Sequence, residues 1–227
     1  KRLWMKFPPN DELQNLSKHY HNGRYNEAET LALSLTQDFP RHQLSWKLLG
    51  ILFSQAGRKA EALCATQKAV ELEPKDAEAQ YNLGNIFQLV GKLDEAIVSY
   101  RQAVLLKPDY YQAHYNLGVK LEEKGELREA EGSYRRAIKI NPQLAVAHNN
   151  LGKILHDNSS FEAAETSFNK AISLMPNLAE AYCNLGNTFQ ACDKLKEAEK
   201  SYRRAIDLRA EYPTAYNNLG MTLGKLE

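Results

Sequence analysis

Cysteine is scarce in this 227-residue chain. Cys64, Cys183 and Cys192 form an odd set with no short spacing between them. That pattern excludes a disulfide framework and a paired-cysteine zinc site. A reducing, cytoplasmic compartment is the expectation. No apolar run approaches the roughly 18 residues that a membrane-spanning helix needs. The opening, Lys1 to Pro9, is too short and too polar for the core of a secretory leader. Charge of one sign is also lacking: 29 basic and 28 acidic residues leave a formal net charge of +1. Nonspecific nucleic-acid binding needs a basic face that displaces counterions. Neither nucleic acid, nor a membrane, nor a strongly acidic partner is therefore expected. The chain also lacks a nucleophile–base pair, a metal-ligand set and a phosphate-cradling loop. Catalysis within it is not expected, and neither is a cofactor. Because it begins at Lys1 rather than Met, it reads as a piece of a longer protein. The final Leu226-Glu227 is set aside as an expected cloning remnant.

What is present is a clock. Leu-Gly occurs at Gly50, Gly84, Gly118, Gly152, Gly186 and Gly220, each glycine 34 residues after the last. Alanine follows each of the first five by twelve residues (Ala62, Ala96, Ala130, Ala164, Ala198) and by nineteen (Ala69, Ala103, Ala137, Ala171, Ala205). An aromatic recurs at Tyr100, Tyr134, Phe168 and Tyr202, with Thr66 in its place one period earlier. Proline recurs at Pro74, Pro108, Pro142 and Pro176. One period back, Gly23, Ala28 and Pro40 keep time, but Leu16 stands where Gly is expected.

These positions have mechanical readings. Small residues let two antiparallel helices approach closely, and the aromatic is expected to fill the gap between neighbouring hairpins. Gly57, Gly91 and Gly125 are expected to end first helices with positive φ. Where Ser159 and Asp193 replace that glycine, Asn158 and Asp193 are expected to take the left-handed geometry. Proline cannot continue a helix. Ala210 stands where proline is due and Pro213 comes three residues late, so a longer helix or turn is expected there. Trp4, Met5 and Phe7 are expected to cap the first hairpin.

The pattern of a large residue, Leu-Gly, paired alanines, an aromatic and a closing proline resembles the tetratricopeptide repeat family over residues 9 to 225. The resemblance implies an all-α, right-handed superhelical solenoid of helix-turn-helix repeats. The implied divisions are an extension at 1-8, a degenerate repeat at 9-42, and repeats at 43-76, 77-110, 111-144, 145-178 and 179-212. A partial repeat or capping helix follows at 213-227. One hairpin cannot bury its own apolar face, whereas stacked neighbours can. An uncapped end would stick, so self-association through the repeat ends is expected, to be read by light scattering over a concentration series.

In such a family the first helix of each repeat lines the concave side. Two residues before each glycine stand Leu48, then Asn82, Asn116, Asn150, Asn184 and Asn218. Asparagine is a poor helix former, but it carries both a donor and an acceptor. A ladder of such groups can clamp successive peptide amides whatever the side chains. It resembles the asparagine ladder in the repeat domain of O-linked N-acetylglucosamine transferases, and Leu48 would end it. Tyr81, Asn85, Tyr115, Asn149, Lys153 and Asn187 are expected on the same groove, which Gln88, Gln112, Gln190 and Asn217 extend. Lys47, Glu78, Glu122, Glu123, Asp157 and Glu180 are its few other charges.

Other signals carry less. Lys47 suits a carboxylate clamp, but Ile51, Gln112 and Asn116 stand where the other clamp residues should be. His114 and His148 share a register with Trp46, Tyr182 and Tyr216 and read as helix packing rather than metal ligands. Cys183 and Cys192 have no activating base nearby and read as structural thiols. The basic pairs after Tyr134 and Tyr202 sit among glutamates and read as a solvated convex face. The expected function is an interaction scaffold whose partner is a protein or extended peptide. The alternatives are the substrate-recruiting arm of a larger transferase, an O-linked N-acetylglucosamine-type glycosyltransferase first and a sulfotransferase or methyltransferase next, or a structural assembly part using its convex face or ends.

Overall fold

A computed structural model describes residues 7–227. The described residues hold thirteen α-helices and no strand. In order these are α1 (Asn10–His21), α2 (Tyr25–Asp38), α3 (Gln43–Gln55), α4 (Lys59–Leu72), α5 (Ala77–Leu89), α6 (Leu93–Leu106) and α7 (Tyr111–Lys124). They continue as α8 (Leu127–Ile140), α9 (Ala145–Asp157), α10 (Phe161–Leu174), α11 (Ala179–Ala191), α12 (Leu195–Leu208) and α13 (Pro213–Leu226). This is an all-α helical-repeat solenoid. It forms two compact units, one ending at Ala113 and the other running from His114 to Glu227.

Each hairpin is closed by a turn whose carbonyls are satisfied in the same way. In the first unit Arg58 N donates to Phe53 O at 2.8 Å and Lys92 N to Phe87 O at 2.8 Å. In the second, Ser160 N donates to Leu155 O at 2.8 Å and Lys194 N to Phe189 O at 2.9 Å. This bond requires a left-handed residue just before the donor. Gly57 and Gly91 supply it with φ of 73° and 75°. Asp193 does so at 58°, as expected, but at the preceding step the residue is Ser159, at 59°. Asn158, the expected one, keeps φ −83°. The closing bond dictates which position turns, and side-chain tolerance does not move it. A left-handed non-glycine residue costs about 1–2 kcal/mol, partly offset by the extra unfolded-chain freedom of glycine. Ser159→Gly should therefore stabilise the chain by about 0.5–1 kcal/mol. Chemical denaturation checks this, and a destabilised variant would refute it.

The small columns are the centre of the core. Ala62, Ala96, Ala130, Ala164 and Ala198 are fully buried, as are Ala69, Ala103, Ala137, Ala171 and Ala205. The aromatic column corrects an expectation. Each ring lies on the glycine of its own hairpin rather than only between hairpins. A methyl group added to Gly84 would lie 2.6 Å from the Tyr100 ring, and one on Gly186 2.6 Å from the Tyr202 ring. The glycine is small because a ring occupies the place of its side chain. The first hairpin inverts the pair: Leu16 and Ala32 hold these two positions, and both are fully buried. Large against small is kept, which is what close packing demands.

The junction around Ala210 is a second correction. Residues 209–212 connect α12 to α13, as many as residues 175–178 between α10 and α11. No lengthening occurs. Pro213 is the first residue of α13, where its missing N–H costs nothing. At the other end, the expected packing of Trp4 and Met5 lies outside the described residues. Phe7 is described and is 74% exposed, so it does not cap the hairpin. No helix among the described residues is long and apolar enough to cross a membrane.

Candidate functional site

The odd-numbered helices carry the polar columns singled out in the sequence. Tyr81, Asn82 and Asn85 stand on α5 in the first unit. Asn116, Asn149, Asn150, Lys153, Asn184, Asn187 and Asn218 stand on α7, α9, α11 and α13 in the second, with Tyr115. The five ladder asparagines are half-buried.

Within the second unit three of these amides are tied to the preceding repeat. Asn150 Nδ2 donates to the Tyr134 hydroxyl at 3.3 Å. Asn184 Nδ2 donates to Asn149 Oδ1 at 3.1 Å. Asn218 Nδ2 donates to Asn187 Oδ1 at 2.8 Å. The acceptor differs from step to step, a phenol hydroxyl for Asn150 and an asparagine oxygen for Asn184 and Asn218. Tyr134 and Tyr202 bring a hydroxyl up to the face, and Phe168 has none.

The tyrosine hydroxyls are the part that sequence reading missed. Tyr202 shares its one hydroxyl proton between Asn187 Oδ1 at 2.8 Å and Gln190 Oε1 at 3.0 Å. Tyr134 donates to Glu122 Oε2 at 2.7 Å, and Lys153 Nζ donates to the other oxygen of that carboxylate at 2.9 Å. In the first unit Tyr100 donates to Asn85 Oδ1 at 2.7 Å. These phenols are fully buried as residues. Burial first, then the hydrogen bond to Glu122, pushes Tyr134 far above the ordinary phenol range. It stays a proton donor at any working pH. Burial pulls Lys153 down, but Glu122 outweighs it and holds the ammonium above its usual value. The signal was present in the sequence: the column reads Tyr in three of its four aromatic positions, where Phe would fill the same space.

One expected groove residue is misplaced. Asn149 is only 2% exposed; its amide is consumed by Asn184 and, at 3.4 Å, by Asn150. It orients the ladder rather than lining it. Cys183, in the same column on α11, is 2% exposed, and burial raises its thiol above the usual range. Tyr81 and Tyr115 are half-buried against rings: Tyr81 lies 4.9 Å from Tyr110, and Tyr115 lies 6.0 Å from Tyr134, centroid to centroid.

Lys47 is engaged elsewhere. Its Nζ donates to Asp76 at 3.1 Å and to Glu78 at 2.8 Å, and Asp76 caps α5 through the backbone N–H groups of Glu78 and Ala79. The column four residues before each glycine also has a plain role. Trp46 Nε1 donates to Pro40 O at 2.9 Å, Gln80 Nε2 to Pro74 O at 3.2 Å, and His148 Nε2 lies 3.1 Å from Pro142 O. The side chain closes a carbonyl at the junction before its helix. Burial lowers the His148 pKa, which suits a neutral ring donating one proton to that carbonyl.

Pockets on this face are shallow and sit between successive odd helices. One of about 180 Å³ is rimmed by Lys153, His156, Asp157, Asn184 and Asn187, with Phe168 as its floor. Another of about 140 Å³ lies between α3 and α5.

Comparison with known proteins agrees with this architecture. No curated protein matches the chain. Among solved structures, YrrB, described as a TPR protein with an unusual peptide-binding site, is 22% identical, with a TM-score of 0.74 over 82% of this chain and 96% of its own. A structure of MamA is 26% identical, with a TM-score of 0.67 over 72% of this chain and 98% of its own. MamA 41-end from Desulfovibrio magneticus RS-1 is 20% identical, with a TM-score of 0.68 over 74% and 96%. Models described as TPR repeat or tetratricopeptide repeat match residues 18–71, 65–98, 89–125, 121–159 and 143–211. These spans overlap from end to end, and the chain belongs to the tetratricopeptide repeat family.

Proposed function

We propose that this chain is a non-catalytic interaction module that grips an extended polypeptide by its backbone, with the ladder asparagines of the second unit as the gripping groups. The observation that carries the reading is the tethering of Asn150, Asn184 and Asn218. Each spends one amide hydrogen on a neighbour. An asparagine has a second N–H and a carbonyl with two lone pairs. The tether fixes the side chain, so less rotamer freedom is lost when a ligand arrives. What remains is an acceptor at each step and, at Asn184, a second N–H as well, since Asn150 also meets Tyr115 and Asn218 also meets Tyr202; these are groups that a peptide amide can engage. Backbone recognition of this kind tolerates varied side chains. That YrrB is described as having a peptide-binding site agrees with a polypeptide as ligand.

The test is the combined replacement of Asn116, Asn150 and Asn184 by alanine, with capture read on an array of unrelated extended peptides. Losing about 1 kcal/mol at each of three amides should weaken binding on the order of 100-fold. Circular dichroism checks that the helices persist. Undiminished capture by the folded variant would end this reading.

A further inference from the structure

Arg203 and Arg204, expected on a solvated face, stand at the rim of a pocket. α10 and α12 each pack on α11, and the space that the three helices line is about 610 Å³. It shares no residue with the pocket rimmed by Asn184 and Asn187, so it lies apart from the ladder. Its wall is apolar: Ile172 from α10, and Tyr182, Leu185 and Phe189 from α11. The three α11 residues follow one another by one helical turn and form a single stripe. Leu185 is buried, but Ile172, Tyr182 and Phe189 are only half-buried, so apolar surface stays in contact with water there. The pockets on the ladder face hold about 140 and 180 Å³. This one falls within the range of small-molecule sites, roughly 300–1,000 Å³.

The rim carries one sign of charge in excess. α12 supplies Lys200, Arg203, Arg204 and Asp207, three cations against one carboxylate. Lys200 stands three and four residues before the two arginines, so all three cations share one face of the helix. Arg203 has a counter-charge, its Nε donating to Glu199 Oε1 at 2.8 Å. Among the described residues Lys200 and Arg204 form no ion pair, and neither does Asp207. Like charges one turn apart destabilise a helix. The register does not impose them. One period earlier the same four positions hold Thr166, Asn169, Lys170 and Ser173, with a single charge. Two periods earlier the basic pair recurs, but Gly132 stands in place of Lys200.

We infer that this pocket binds a small amphiphilic anion: its apolar body lies against Ile172, Tyr182, Leu185 and Phe189, and its acidic head is met by Lys200 and Arg204. Binding covers the half-exposed apolar wall and supplies the counter-charge that α12 lacks. Only a ligand with both halves makes both gains at once. Asp207 lies two turns beyond Lys200 and repels an acidic head, which places the head at the Lys200 end of the rim. The site does not depend on the ladder, and its failure would leave the backbone grip standing.

The experiment uses the whole chain with 1-anilinonaphthalene-8-sulfonate as probe. N-phenyl-1-naphthylamine, the same body without the sulfonate, is its uncharged counterpart. Binding is followed by fluorescence and located by the NMR signals of the Ile172 and Leu185 methyl groups. The sulfonate should shift both signals saturably, and the uncharged probe should bind about tenfold more weakly, the effect of two exposed charge contacts. Added salt should weaken the sulfonate alone. Lys200→Gln combined with Arg204→Gln removes two exposed, unpaired charges and leaves the core untouched. That variant should lose the tenfold preference and still bind the uncharged probe. Equal binding of the two probes by the native chain would overturn the inference. So would an unchanged preference in the double variant, or sulfonate binding that leaves the Ile172 and Leu185 signals in place. Shifts of these signals by an acidic amphipathic peptide, but not by the sulfonate, would overturn a small molecule as the occupant.

Discussion

Tyr134→Ala should cost about 3–5 kcal/mol of folding stability, the usual price of emptying a fully buried aromatic site. The ring is 0% exposed and lies against Gly118, where an added methyl group would sit 2.7 Å from it. Both helices of the hairpin therefore lose their contact at once. The hydroxyl is a separate contribution. Tyr134→Phe keeps the ring and gives up the bonds to Glu122 and Asn150. A hydrogen bond to a charged group is worth about 1.5–3 kcal/mol, so the conservative variant should lose no more than that. Phe168 shows that the fold accepts phenylalanine at this register. Chemical denaturation of the three proteins separates packing from hydrogen bonding. If alanine costs no more than phenylalanine, the ring is not the spacer described here. Because repeats couple mainly to their neighbours, amide exchange should quicken most in α7, α8 and α9.

The second large effect is a difference of sign within one motif. Gly186→Ala should destabilise by about 1–3 kcal/mol, the range for overfilling a packed core. Its new methyl group would lie 2.6 and 2.8 Å from two ring carbons of Tyr202, which is fully buried and has nowhere to move. Gly220→Ala should instead stabilise by about 0.5–1 kcal/mol. Gly220 is helical, exposed, and has no neighbouring atom within 4 Å of where its methyl group would go. Both glycines follow Leu in the same 34-residue register. Thermal melts of the two variants provide the check, and shifts of the same sign would refute the account of why the glycine is there.

These two expectations mark where sequence reading stops. The register located Gly186 and Gly220 equally well. What each glycine does depends on whether a ring lies over it, and the ring belongs to a helix sixteen residues away. The same applies to the polar face. Asn150, Asn184 and Asn218 were legible as a column because an amide repeated at one helical position has no core explanation. Their tethering was not legible, because it depends on which neighbour's oxygen comes within about 3 Å. Asn149 shows the risk: by register it belonged to the face, yet it is buried beneath Asn184. Ser159 shows it for the backbone, since the closing bond from Ser160 chose the turning residue over the more tolerant Asn158.

The sequence by itself determined the all-α fold, the family and the helix that carries each polar column. A 34-residue period with small and large residues at fixed places admits one kind of hairpin, and periodicity survives projection onto a line. Only the tertiary structure decided how each place is used. It assigned rings to glycines, a tyrosine hydroxyl to Asn150, and neighbouring asparagine oxygens to Asn184 and Asn218. Those are facts about volume and hydrogen-bond reach between separate helices, which no single helix's residues record.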